Sequence, residues 1–281
     1  KQDFQESDFI KLRTIISNEK ANYYLAFHIK SHHTFMMKKI NFSGNNDTIF
    51  KREIDFCNNC SHRCLMHFYG FLKKEKKIIG FIYQYLSNGP LNFFYESHQN
   101  QIDDIYSIMS IIRIFQGIEY LHKNLYIYRD LKPYNILLDN DYIPYITDFD
   151  AIRHPLNDQD VNFAEMTNDL GSSLYISPEQ YEGKNISYPT DIFSFGLLAY
   201  FLLEKKDVCD RDEILKNKEL SFKIASKNMQ RLIESCIKLK QSERPTIKKV
   251  KTFLLKEFIL RYYIEPHIKN YIINLKKSDI N

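Results

Sequence analysis

The run Tyr128-Arg129-Asp130-Leu131-Lys132-Pro133-Tyr134-Asn135, followed by Thr147-Asp148-Phe149-Asp150, decides the reading of this chain. Asp130 and Asn135 lie five residues apart in a loop, directly before two short apolar runs, Asn135 to Leu138 and Pro144 to Ile146. Asp139-Asn140-Asp141 between those runs is turn chemistry, so they read as a hairpin with Asp148 at its exit. An acid, an amide and a second acid thus stand on adjacent loops pointing the same way, with Lys132 as a cation between them. That set suits phosphoryl transfer, which needs phosphates held still, their charge neutralised, and a carboxylate beside the attacking hydroxyl.

Upstream, Ile105, Ile108, Ile112, Phe115, Ile118 and Leu121 recur three or four apart and predict a long amphipathic helix. Ser87-Asn88-Gly89-Pro90 before it is a loop signal. Further back the pattern turns to strands. Tyr23 to Phe27 and Thr34 to Met37 flank a polar turn at Lys30 to His33, and Phe68 to Phe71 and Ile78 to Tyr85 flank a basic one. Between the pairs, Asn46-Asp47 offers a cap, and Ile49, Phe50, Ile54 and Cys57 follow at helical spacing. From Asp191 onward helix dominates. A strand-rich first third and a helical remainder predict two lobes with a hinge near Ser87–Pro90 and a site in the cleft.

Composition excludes several classes. With 44% hydrophobic and 26% charged residues the chain reads as a soluble globular protein. A dispersed net charge of +4 does not suit nucleic acid. The apolar run Ile192 to Leu203 is broken by Ser194 and Gly196 and is shorter than the ~20 residues of a membrane span. No secretory leader is seen, and five cysteines, an odd number, suggest free thiols in a cytoplasmic or nuclear setting. The first residue is Lys, which fits a piece of something longer. Cys57-x-x-Cys60-x-His62-x-Cys64-x-x-His67 has zinc-ligand types, but zinc sites usually pair two ligand hairpins across a longer gap. Cys57 and Cys60 read instead as small hydrophobes on the buried face of a helix.

Taken together the motifs resemble the catalytic and magnesium loops of the eukaryotic protein kinase family, and Leu131-Lys132-Pro133 resembles its serine/threonine form. The resemblance implies an α+β, two-lobed fold: a small antiparallel β lobe plus one helix, about 9–86, and a larger, mainly helical lobe, 87–255. A helical tail, 256–281, would follow. It implies Asp130 as catalytic base, Lys132 steadying the transferred group, Asn135 and Asp148 holding Mg2+, and Lys38 contacting ATP phosphates with Glu53 as its ion-pair partner. Gln84, Leu86 and Leu137 would join the nucleotide site. Ser177-Pro178-Glu179 resembles the motif closing the activation segment, with Arg244 as partner of Glu179. Asp191 would brace the catalytic loop. Arg129 before Asp130 implies control by phosphorylation, with Thr167 as acceptor for an upstream kinase, and Ser172 would help shape the peptide-binding loop. Tyr128 stands where the family usually has His.

Four departures concern the nucleotide. Counting back from Lys38, the glycine-rich loop should fall at Ile16–Tyr23, which holds no glycine. Tyr23 and Met36 replace small residues that sandwich adenine, and Tyr83 is bulky at the gatekeeper position. Asp150 stands where the family has the glycine of DFG. The expectation is a serine/threonine kinase acting on protein hydroxyls with Mg-ATP. The alternative is a pseudokinase scaffold or allosteric partner with weak or absent ATP binding. A small-molecule phosphotransferase is disfavoured by the Ser177–Glu179 segment.

Overall fold

The computed structural model describes residues 2–41, 46–98, 101–154, 174–207, 214 and 220–264. Strands β1 (Gln2–Gln5), β2 (Phe9–Ser17), β3 (Ala21–His28), β4 (His33–Ile40), β5 (Phe68–Lys74) and β6 (Lys77–Gln84) form a six-stranded sheet in the order β1-β5-β6-β4-β3-β2. Register sorts its side chains. Tyr23 pairs with Lys38 and Lys38 with Phe81, while Met36 pairs with Tyr83, so these five share one face. Helix α1 (Asn46–Asn59) packs on that face, its stripe Ile49, Phe50, Phe56 and Cys57 buried. Phe35, Met37 and Ile82 share the other face, closed by Phe4 and Phe9 with Ala26 and Leu72. Burial on both faces is why β4 and β6 read as near-continuous apolar runs.

Strand β1 precedes the lobe bounds read from the sequence, which began at about 9. It adds in parallel to β5, with Gln2 opposite Gly70 and Phe4 opposite Leu72. A four-residue strand with one apolar side chain carries no periodicity, and Phe4 is its one buried side chain, worth ~2 kcal/mol for a buried ring.

The second lobe is built from α2 (Leu91–His98), α3 (Asp104–Lys123), α4 (Pro178–Tyr181), α5 (Tyr188–Glu204), α6 (Lys227–Cys236) and α7 (Ile247–Ile264). Asp103 caps α3 by accepting from the Tyr106 amide at 2.6 Å. Helix α5 is buried from Thr190 to Glu204 on every side, which explains a run too apolar for a surface helix yet broken by Ser194 and Gly196. The expected hairpin is β8 (Ile136–Leu138) and β9 (Pro144–Ile146). The segment read as a plain loop at Ser87–Pro90 also contains a short strand, β7 (Gly89–Pro90), which joins β8 because Gly89 takes up a φ of 67°. Helix α7 runs unbroken through position 255. No described helix is long and apolar enough to cross a membrane.

Candidate active site

Asp191, from the buried start of α5, anchors the lower half of the cleft. Its carboxylate accepts from the backbone amides of Tyr128 and Arg129 at 2.9 and 2.7 Å, and His122 from α3 lies 2.8 Å away. These bonds hold Arg129 at a φ of 76°, a backbone state that costs a non-glycine residue of order 1 kcal/mol. The Tyr128 ring is fully buried and its hydroxyl donates to the Thr147 carbonyl, tying this loop to the segment before Asp148. His122 and the Tyr128 hydroxyl were not foreseen, since their partners lie far along the chain.

Beyond that anchor the loop folds on itself. Lys132 Nζ lies 3.0 Å from Asp130 Oδ2, and Asn135 Nδ2 donates to the same oxygen at 2.7 Å and to the Asp130 carbonyl at 2.9 Å. The Asn135 backbone carbonyl in turn accepts from the Thr147 amide and hydroxyl, both at 3.0 Å. Asp130, Lys132, Asn135 and the start of the Asp148 loop therefore form one bonded unit. Asp148 has a φ of 50°. Its burial, with Asp150 nearby, raises its carboxyl to about 6.

The upper half is built around Lys38, which donates to Glu53 Oε1 at 2.9 Å and Oε2 at 2.7 Å. It also donates to Asp150 Oδ1. The Tyr23 and Phe81 rings flank the ammonium, with centroids 5.6 and 5.7 Å away. Burial alone would lower the Lys38 pKa, but the carboxylates of Asp150 and Glu53 outweigh it and hold the amine well above its ordinary value. Glu53 is brought within reach because Phe149 packs on Phe56 of α1, with centroids 4.5 Å apart. Tyr83 has a polar role that its bulk did not reveal. Its ring lies in the aromatic layer with Phe68 and Phe81, and its hydroxyl donates to Glu53 Oε1 at 2.8 Å. Cys57 Sγ stands 3.1 Å from the same hydroxyl.

The glycine-free segment turns without strain: none of residues 16 to 23 has positive φ. Asn18 does the work of glycine. Its Oδ1 accepts from the amides of Lys20 at 3.0 Å and Ala21 at 2.9 Å, and its own amide donates to the Ala21 carbonyl at 3.1 Å. Asn at the first position of a polar turn was a readable signal for this bond pattern. The space below, lined by Lys20, Ala21, Lys38, Ile40, Ile49, Phe50, Glu53 and Asp150, is a cavity of ≈ 10 Å³, about the least that holds one water.

At the cleft's edges, the Gln84 amide donates to the His67 carbonyl at 2.9 Å, and Leu86 is buried. Tyr23, Met36 and Leu137 are half-buried against the main core. Away from the cleft, Arg244 grips Glu179 with two bonds of 2.7 and 2.8 Å, and Thr190 donates to the same carboxylate at 2.9 Å. Thr167 and Ser172 lie outside the described residues. Cys57 and Cys60 are buried, and among the described residues no group of three His, Cys, Asp or Glu side chains is gathered to hold a metal ion.

A sheet lobe over a helical lobe, with a Lys–Glu pair above and a bonded Asp–Lys–Asn loop below, is the architecture of a phosphotransferase of the protein kinase class. The sequence matches the protein kinase domain family over residues 12–254; the chain belongs to that family and is a protein kinase domain. Among its relatives in Arabidopsis thaliana, it is similar to cysteine-rich receptor-like protein kinase 5, at 36% identity over 56% of this chain and 24% of the relative. Cysteine-rich receptor-like protein kinase 18 is 35% identical over 58% of this chain and 25% of its own length. L-type lectin-domain containing receptor kinase VII.1 is 31% identical over 53% and 22%. The chain thus spans about a quarter of the length of these curated relatives.

Proposed function

We propose that this domain, spanning about residues 9–255, is a serine/threonine kinase that transfers the γ-phosphoryl group of ATP to hydroxyls of a protein substrate. The observation that carries the reading is the bonded set Asp130, Lys132 and Asn135 beside Asp148. In this reading Asp130 accepts the substrate hydroxyl's proton, and Lys132, 3.0 Å away, steadies the group in transfer. Asn135 turns its amide nitrogen to Asp130, so its oxygen, with the Asp148 carboxylate, offers the hard donors that Mg2+ takes. Bound magnesium supplies charge neutralisation for the phosphates. Gln84, Leu86 and Leu137 border the adenine, and Lys38, oriented by Glu53, meets the phosphates once Asp150 has left it. Arg129 receives the phosphate of a modified Thr167, the work of an upstream kinase. Asp191, Glu179 and Arg244 keep the lower lobe in shape.

A second reading, a pseudokinase scaffold, is favoured by the cleft's upper half, where Asp150 bonds Lys38 and Asn18 takes the turn amides. A thermal-shift titration with Mg-ATP, run beside a radiolabelled transfer assay, separates the two. Saturation at one hundred times Kd stabilises the fold by ~2.7 kcal/mol. Asp130→Asn should keep that shift and lower transfer by at least about 100-fold. Absence of both shift and Asp130-dependent transfer sinks the enzyme; a shift without transfer selects the scaffold.

A further inference from the structure

An ammonium has three hydrogens, and Lys38 has three carboxylate acceptors: both oxygens of Glu53 and Oδ1 of Asp150. Tyr23 and Phe81 close the flanks with their rings. No donor of Lys38 is left for a phosphate. The two carboxylates differ in access, however. The Glu53 side chain is 2% exposed and held also by Tyr83, whereas that of Asp150 is 21% exposed and borders the small cavity beneath the Asn18 turn. Glu53 is thus the fixed partner and Asp150 the displaceable one. The turn above repeats the pattern, because the Lys20 and Ala21 amides are already satisfied by Asn18 Oδ1.

We propose that Asp150 is an internal stand-in for a nucleotide phosphate: its carboxylate occupies the Lys38 position that a phosphate oxygen would take, and so sets the affinity for ATP. The inference rests on the reading of this cleft as a nucleotide site and deepens it. Nucleotide entry must exchange one anionic acceptor on Lys38 for another and turn the Asp150 side chain out of the cavity. Glycine at this position, having no side chain, leaves the third hydrogen of Lys38 available. No covalent step is involved.

Two measurements test it. The first needs no nucleotide: denaturation midpoints of wild type, Lys38→Met, Asp150→Asn and the double variant form a cycle. A direct contact makes the two single shifts non-additive, and additive shifts overturn the contact and the inference with it. The second is the Kd for Mg-ATP by calorimetry. Asp150→Gly should bind at least about tenfold more tightly than wild type, with Asp150→Asn between them and Lys38→Met cancelling the gain. Asp150→Asn keeps the shape of the site and serves if the glycine variant fails to fold. Equal or weaker binding by folded Asp150 variants overturns the inference while leaving a wild-type binder a nucleotide site. Binding by the variants and not by wild type supports it and removes the active-kinase reading of the native chain. No binding by any of them overturns both.

Discussion

Tyr83 donates its hydroxyl hydrogen to Glu53 from a ring only 1% exposed, so this bond is made away from solvent. Replacing it by Phe keeps the packing with Phe68 and Phe81 and removes one bond to an anionic acceptor. Tyr83→Phe should lower stability by about 2 kcal/mol in chemical denaturation. Asn18 shows the opposite case, a local device. Asn18→Ala leaves the Lys20 and Ala21 amides without their acceptor, and should cost about 1 kcal/mol while speeding hydrogen exchange at those two amides. The Asn18 bonds span two and three residues and were within reach of turn chemistry. Tyr83 meets Glu53 across thirty residues, and bulk alone says nothing of that partner.

Strand β1 depends on an absent side chain. A Cβ built on Gly70 would stand 1.8 Å from the Gln2 carbonyl oxygen and 3.0 Å from the Phe4 ring, so the parallel pairing requires glycine there. Gly70→Ala should detach β1: amide exchange at residues 2–5 becomes fast, and stability falls by roughly 1–3 kcal/mol as Phe4 is exposed. Unchanged protection of those amides would show that the pairing does not need Gly70. The Gly80 site is equally tight, with Lys38 O at 2.1 Å, which joins the spacing of β4 and β6 to the position of the cleft lysine. From the sequence, β4, β6, α1 and α3 were legible because each carries a long periodic or continuous apolar pattern. The four residues of β1 carry none.

Two buried ties hold the helical lobe in register: Asp191 to the 128–129 backbone, and Arg244 to Glu179. Burial pushes the Glu179 carboxyl up, but its bonds to Arg244 outweigh this and hold it below its ordinary 4.5. A depressed folded-state pKa contributes stability that is present above pH ~4.5 and lost as pH falls through the folded value. At pH 7, Glu179→Gln should therefore be less stable by ~3 kcal/mol, since it strands a buried guanidinium. That gap should narrow as denaturation is repeated at acid pH. A gap independent of pH would mean that shape, not charge, sets the effect.

The sequence by itself determined the class of this protein, the two lobes and the order of the chemical groups along them. Asp130, Lys132 and Asn135 lie within six consecutive residues, so loop spacing alone brings them together. Tertiary structure decided what faces Lys38. Asp150 and Lys38 are 112 residues apart, and their contact depends on Phe149 seating against α1, which draws Glu53 in as well. Periodicity assigns a side chain to a face, but its partner on that face is chosen by how separate elements pack.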